Sequence, residues 1–344
     1  MPITRVFIEL RVSLTPRTPH SGPIRCVPPA AAVPRHWGTL FNEDRFHALN
    51  LSDGQRVIRG DGSADDGRVI GTLGGVLQGD VLVCGYSAPF GGVDFARPRE
   101  TPANVAKVID EALPRLRACG ARTVVIKLPP TCYGDNEPLI QFTLLNRGFE
   151  VERCELNQHV DLQRLSGRED YAAQLKSPAR RALRRLFGPE FRFCEAQAES
   201  EWDRAYETLA INRAVRGRVL SISRDYLRRA RLALGQHVRM FELFHADRAV
   251  AAALVYRVRE RRELVVAWGD ADHGLEHSPM NLLAYRMIER ALADRIETLD
   301  LGTSTEHAVG PEGEQIPNAG LVQFKQSVLA RSEPRLTLVR TLAR

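Results

Sequence analysis

The residues best suited to chemistry gather at the end of one short hydrophobic segment. In LDLGTSTEHA, residues 299–308, a run with strand character stops at Gly302 and opens into hydroxyls, a carboxylate and an imidazole. Such a set suits proton transfer and donation to developing charge, with Glu306 as proton acceptor and Ser304 or Thr305 as donors. It equally suits a polar turn in which Ser and Thr bond nearby backbone N–H groups and Glu306 faces solvent. Lys325 stands out by its type. From Asp161 onward the chain has 30 Lys and Arg against 25 Asp and Glu, and only Lys176 and Lys325 among them are lysines. A compact ammonium retained in an Arg-rich chain suits an oxyanion or a phosphate, the alternative being a surface lysine on an amphipathic helix. Asn318, beside the AGL turn, either donates to a substrate or caps the following helix.

A second group is electrostatic. In LKSPARRALRRL, residues 175–186, Ser177 suits an N-cap and Pro178 the first helical position. Ala179, Ala182, Leu183, Leu186 and Phe187 then form a buried stripe, leaving Arg180, Arg181, Arg184 and Arg185 opposite. Such a face attracts polyanions or is simply solvated and salt-bridged, and no aromatic residue interleaves with it as a single-strand binder would need. DADHGLEH offers Asp270, Asp272, His273 and His277 as ligand types, but at neither metalloprotease nor EF-hand spacing, so no metal site is expected. GDGSADDG at 60–67 reads as a hairpin turn. The six cysteines are too scattered for a zinc pair or a disulfide framework and are expected to be reduced and quiet.

These residues need elements to hold them. At 344 residues and 44% hydrophobic, the chain is long enough for two domains. There is no apolar run of about 18 residues, and the opening 36 residues are broken by prolines and charges, so a cytoplasmic protein without membrane insertion is expected. After the proline-rich segment 1–36, three β-rich runs form a meander, followed by a helix at 102–118 whose Val105, Val108, Ile109, Ala112, Leu113 and Leu116 recur at helical spacing. Then come the strand RTVVIKL, a helix near 136–147 and the strands of FEVERCELNQHVDL. From about 191 the order repeats: a strand, helices at 200–214 and 224–234, a meander ending in AWGDAD, a helix at 279–294, ETLDLGTS, a short helix around 319–330 and the strand RLTLVRTL. Repeated order without repeated residues suggests two copies of one fold.

That order resembles the GNAT acyltransferase fold, and two copies in tandem resemble the Fem-type branch of peptidyl and aminoacyl transferases and its acetyltransferase-like relatives. Three segments carry the likeness: YSAPFGGVDF at 86–95, the basic LKSPARRALRRL, and LDLGTSTE followed by NAGLVQFKQS. The resemblance implies an α+β protein of two GNAT-like domains, 37–165 and 166–344, each a mostly antiparallel mixed sheet flanked by helices. It implies amide formation on a small-molecule or peptide amine, in a cleft where the strands ending in AWGDAD and LDLGTSTE diverge. Glu306 would accept the proton, and Lys325 with Ser304 or Thr305 would stabilise the oxyanion. Asn318, Phe324, Asp270 and Tyr86 would contact substrate, and Arg180 and Arg184 a polyanion such as tRNA. The pyrophosphate loop of CoA-binding members has no close counterpart in DADHGLEHSPMN or DFARPRETPAN, so the co-substrate is acyl-CoA or aminoacyl-tRNA, with no tightly bound cofactor. Two other classes stay open: a non-catalytic module binding nucleic acid or a phosphorylated ligand, and a metal-dependent hydrolase built on Asp270, His273 and His277.

Overall fold

The alternating and helical hydrophobic runs of the sequence become the strands and helices expected of them. The structure, a computed structural model, describes residues 38–96, 100–271, 278–310 and 313–342. The proline-rich start and Asp272, His273 and His277 of the metal reading lie outside the described residues. The first half runs through α1 (Asp44–Asn50), β1 (Arg56–Ser63), β2 (Val69–Gln78), β3 (Val81–Cys84), β4 (Val93–Phe95), α2 (Pro102–Ala118), β5 (Thr123–Lys127), α3 (Glu137–Leu145) and β6 (Glu150–Asp161). The second half enters through α4 (Arg168–Gln174) and α5 (Ser177–Arg185) and continues with β7 (Phe191–Glu195), α6 (Glu199–Val215) and α7 (Arg224–Leu234). Its meander is β8 (Val238–His245), β9 (Arg248–Arg259) and β10 (Arg262–Asp270), followed by α8 (Met280–Ala293) and β11 (Thr298–Thr303). A ribbon of β12 (Thr305–Val309) and β13 (Gln315–Pro317), then α9 (Ala319–Ser327) and β14 (Arg331–Thr341), complete it.

Helix α2 shows how closely local pattern and packing agree. The Thr101 hydroxyl caps its first turn by accepting from the Asn104 N–H, Pro102 opens it, and the six apolar residues singled out by spacing are its buried residues. Helix α8 likewise buries Leu282, Leu283, Tyr285, Met287, Ile288 and Ala291. The basic helix differs in part. Ala179, Leu183 and Leu186 are buried, but Ala182 is half-buried and Phe187 is 46% exposed. Phe187 lies past the end of α5 at Arg185, where helical spacing no longer fixes its direction, and it meets Tyr285 edge-on with ring centres 5.0 Å apart. Lys176 rather than Ser177 occupies the N-cap position.

Both halves share the order meander, helix, parallel strand, helix, long strand, yet they form one sheet, β1-β2-β3-β5-β14-β6-β11-β10-β9-β8-β7, with β4 paired to β2. The two long strands are exchanged. β14 from the second half lies between β5 and β6, antiparallel to both, and β6 from the first half pairs with β11. The sheet runs through both halves without a break.

The seam between the halves has an aromatic core and a buried charge. Phe90 of the PFGG turn is 1% exposed and packs against Phe41 and Tyr133 at centroid distances of 5.2 and 4.5 Å, and Phe41 in turn approaches Tyr256 of β9 at 6.3 Å. The turn is tight because Gly92 has a φ of +106° and a Cβ there would lie 2.3 Å from the Cys84 Cβ. Beside it, Arg259 of β9 reaches across the seam to Glu137 at 2.8 Å, the Tyr133 carbonyl at 2.7 Å and the Thr39 hydroxyl at 3.2 Å, with Asp94 at 3.8 Å. Burial pushes the Asp94 and Glu137 carboxyls upward, and this guanidinium opposes the shift. Removing one partner from such a network leaves the other charges buried and uncompensated. Arg259→Met is therefore expected to lower unfolding stability by about 3–5 kcal/mol, measured by urea denaturation; a loss below about 1 kcal/mol would show that the seam does not depend on this residue.

Candidate active site

The parallel strands β10 and β11 pair only from Arg262–Thr298 to Leu264–Asp300. A register shift in β10 between Val265 and Ala267 accompanies their separation, and beyond it β10 follows β9 while β11 follows β6. The carboxyl ends of these two parallel strands therefore lie unpaired, the cleft position at which an open sheet can receive a ligand.

One wall of this cleft answers what the Gly in LDLGTSTE is for. Asp300 is 1% exposed, and its carboxylate accepts from the Gly302 N–H at 2.8 Å, the Asn157 amide at 2.9 Å and the Tyr133 hydroxyl at 3.0 Å. Burial raises its pKa, and these three donors, together with the charge of Lys325, pull against that rise. Gly302 takes a φ of +73°, and the β11–β6 register shifts between Asp300 and Thr303. In this bulge two successive carbonyls, those of Gly302 and Thr303, both accept from the Lys325 ammonium, at 2.8 and 3.0 Å. Lys325 itself is only 1% exposed. Burial lowers its pKa to about 7, opposed by Asp300 and assisted by the charge of Arg335. It is not the surface lysine that an amphipathic helix would carry.

The polar residues after Gly302 divide into two kinds. Ser304 is fully buried and donates to the Gln158 side chain at 2.6 Å, and the Thr305 hydroxyl accepts from the Leu156 N–H at 3.0 Å. Both hydroxyls thus serve β6 rather than an open cleft. Glu306, on the ribbon strand β12, has 28% of its side chain exposed. It accepts from Asn318 at 2.5 Å on one oxygen and from Arg218 at 2.8 Å on the other. Asn318 also caps α9 by accepting from the Leu321 N–H at 2.8 Å, so one side chain joins Glu306 to the helix that carries Lys325. Glu306 and Lys325 are thereby fixed to the same stretch of chain, three or four residues apart along 302–306. The His307 side chain lies outside the described residues.

The remaining candidates are distributed more widely. Phe324 packs against Trp268 of β10 at 5.4 Å, an aromatic contact between α9 and the opposite strand of the cleft. Asp270 accepts from Asn212 at 3.0 Å and Ser278 at 2.9 Å, with Arg216 at 3.7 Å, so both its oxygens are engaged by protein groups. Tyr86 lies in the first half, its hydroxyl accepting from Gln55 at 2.9 Å. On α5, Arg184 is exposed, whereas Arg180 is half-buried and donates to the Ala173 carbonyl at 3.4 Å. Sequence spacing missed Asp300, Tyr133, Asn157, Gln158 and Trp268. For Asp300 a signal existed: a carboxylate between two leucines of a buried strand needs partners.

Residues 172–309 match the family described as the acetyltransferase (GNAT) domain. Among solved structures, FemX is similar at 11% identity and a TM-score of 0.67, with 88% of this chain and 92% of that chain covered. The C-terminal domain of a putative lysylphosphatidylglycerol synthetase from Agrobacterium fabrum gives 14% identity, 87% of each chain covered and a TM-score of 0.53. L-PGS from Bacillus licheniformis gives 13% identity and 0.53, covering 88% of this chain and 87% of that one. A comparison with curated proteins finds no significant match. At these identities the structural likenesses speak for the fold, a GNAT-like mixed sheet with flanking helices.

The depressed pKa of Lys325 has a thermodynamic consequence. The unfolded lysine, near 10.5, holds a proton that the folded one releases above about 7. Wild-type stability relative to Lys325→Met should accordingly rise with pH between about 7 and 10, by at most about 1.4 kcal/mol per unit. Denaturant titrations of both proteins across that range check this, and a flat difference would mean that the ammonium is solvated.

Proposed function

Because its second half carries a GNAT acetyltransferase domain, an acyltransferase unit, we propose that this protein forms an amide by transferring an acyl or aminoacyl group to an amine in the cleft between β10 and β11. The observation that carries this reading is the placement of the Lys325 ammonium by the two carbonyls of the Gly302 bulge. An ammonium has three N–H donors; two are taken there, and the third is left for the oxygen of a reacting carbonyl, where negative charge grows as the tetrahedral intermediate forms. Burial strengthens that interaction by excluding competing water.

Glu306 takes the proton. A carboxylate offers about four lone-pair directions, and Asn318 and Arg218 occupy one on each oxygen, which orients the group and leaves acceptor capacity on both. Glu306 accepts a proton from the acceptor amine as its nitrogen attacks the acyl carbon, and as the bond from the acyl carbon to its carrier breaks, the carrier leaves with that electron pair and takes the proton back from Glu306. Phe324 and Trp268 provide an apolar side to the cleft. Ser304 and Thr305 act through the sheet, holding β12 to β6.

The donor carries its acyl group on a polyanion. Arg181, Arg184 and Arg185 are exposed on α5, on the side away from buried Ala179 and Leu183. Acyl-CoA and aminoacyl-tRNA share this phosphate chemistry, and the family match favours acyl-CoA while the basic helix suits the larger ligand. Thermal-shift titration with CoA, acetyl-CoA and aminoacyl-tRNA separates them, and no stabilisation by any of them would count against the reading. With a competent donor and amine, Lys325→Met should lower kcat by roughly 10²–10³-fold with little effect on donor binding. Glu306→Gln should lower it by about 10²–10⁴-fold. Because the ammonium is the required form, kcat should fall as pH rises through about 7; a rate that climbs with pH there would instead assign the neutral amine as base.

A further inference from the structure

A second cluster of reactive side chains lies on the exchanged strands, and the acyl-transfer reading gives it no part. Cys132 follows β5 in the short turn Thr131–Tyr133, His159 is on β6 and Glu333 on β14. Their Sγ, Nδ1 or Nε2, and carboxylate oxygen lie within 4.8 Å of one another. His159 and Glu333 have only 12% and 9% of their side chains exposed. The His159 Nδ1 and the Glu333 Oε1 are 2.7 Å apart, yet both are buried atoms without an aligned hydrogen bond. With the imidazole neutral and its proton on Nε2, two lone pairs would face each other there, an arrangement that a cation between them would relieve.

We propose that Cys132, His159 and Glu333 bind one zinc ion. One sulfur, one imidazole nitrogen and one carboxylate oxygen are the ligand types zinc takes, and three protein ligands leave a fourth position for water. Tetrahedral bonds of about 2.0–2.3 Å place ligand atoms roughly 3.3–3.8 Å apart, inside the range from 2.7 to 4.8 Å that the three span here. Charge also balances, since a thiolate and a carboxylate neutralise the dication in a largely buried site. An outer layer orients the carboxylate, because the other oxygen of Glu333 accepts from the Thr131 hydroxyl and from the Cys132 N–H at 3.2 Å. The ion would pin the incoming strand β14 to β6 and to the turn after β5.

The test uses the full-length protein, stripped of metal and dialysed against zinc, with metal analysis, and against cobalt(II), with absorption spectroscopy. The expected result is one equivalent bound, a higher Tm, and a sulfur-to-cobalt charge-transfer band. Cys132→Ser should abolish the band, Glu333→Gln should lower uptake, and Thr131→Val should weaken binding by roughly 10-fold. His273→Ala and His277→Ala should leave uptake unchanged. Absence of stoichiometric uptake, or uptake without the sulfur band in the wild-type chain, would overturn the proposal even if a variant failed to fold. Acyl transfer is assayed separately, so loss of one reading does not remove the other.

Discussion

The buried carboxylate of Asp300 organises the centre of this molecule. A charge at that depth is tolerable only when its lone pairs are answered, and each answering group comes from a different piece of chain: Gly302 from the bulge, Asn157 from β6 and Tyr133 from the turn after β5. Satisfying Asp300 fixes the bulge, the bulge aims two carbonyls at Lys325, and Lys325 ties α9 to the cleft wall. Glu306 joins the same assembly through Asn318. The site is therefore held by a polar network on regular strands, with little left to loop conformation.

The seam between the halves follows a similar logic at a second place. Arg259 is surrounded by carboxylates and a carbonyl from the first half, and the aromatic cluster of Phe41, Phe90 and Tyr133 excludes water beside it. Tyr133 belongs to both networks, its hydroxyl on Asp300 and its carbonyl on Arg259. The seam and the Asp300 network are therefore linked through one residue.

Much of the local structure was legible in the sequence. The apolar stripe of α2, the hairpin at GDGSADDG, the order of elements in each half and the strand of LDLGT, which runs one residue past Gly302, follow from short-range pattern, because burial repeats along a helix or strand with a fixed period. The basic helix was legible up to Arg185 and not beyond, where Phe187 leaves the helical repeat. Strand neighbours were not legible: a period of two identifies β6 and β14 as strands but carries no information about what they pair with. The same limit hid the partners of Asp300, which come from residues 143 and 167 positions away. Ser304 and Thr305 illustrate the converse, since their types suit either catalysis or backbone bonding and only the neighbouring β6 decides which donors and acceptors they meet.

The exchange of long strands bears on how the polypeptide is made. Because β14 is made after every other strand of this sheet, β5 and β6 emerge with an open slot between them, two bare edges capable of recruiting another chain. The first half can close only once β14 has been made. A truncation that removes β14 consequently strips a partner from two strands of the first half, although β14 itself is made with the second.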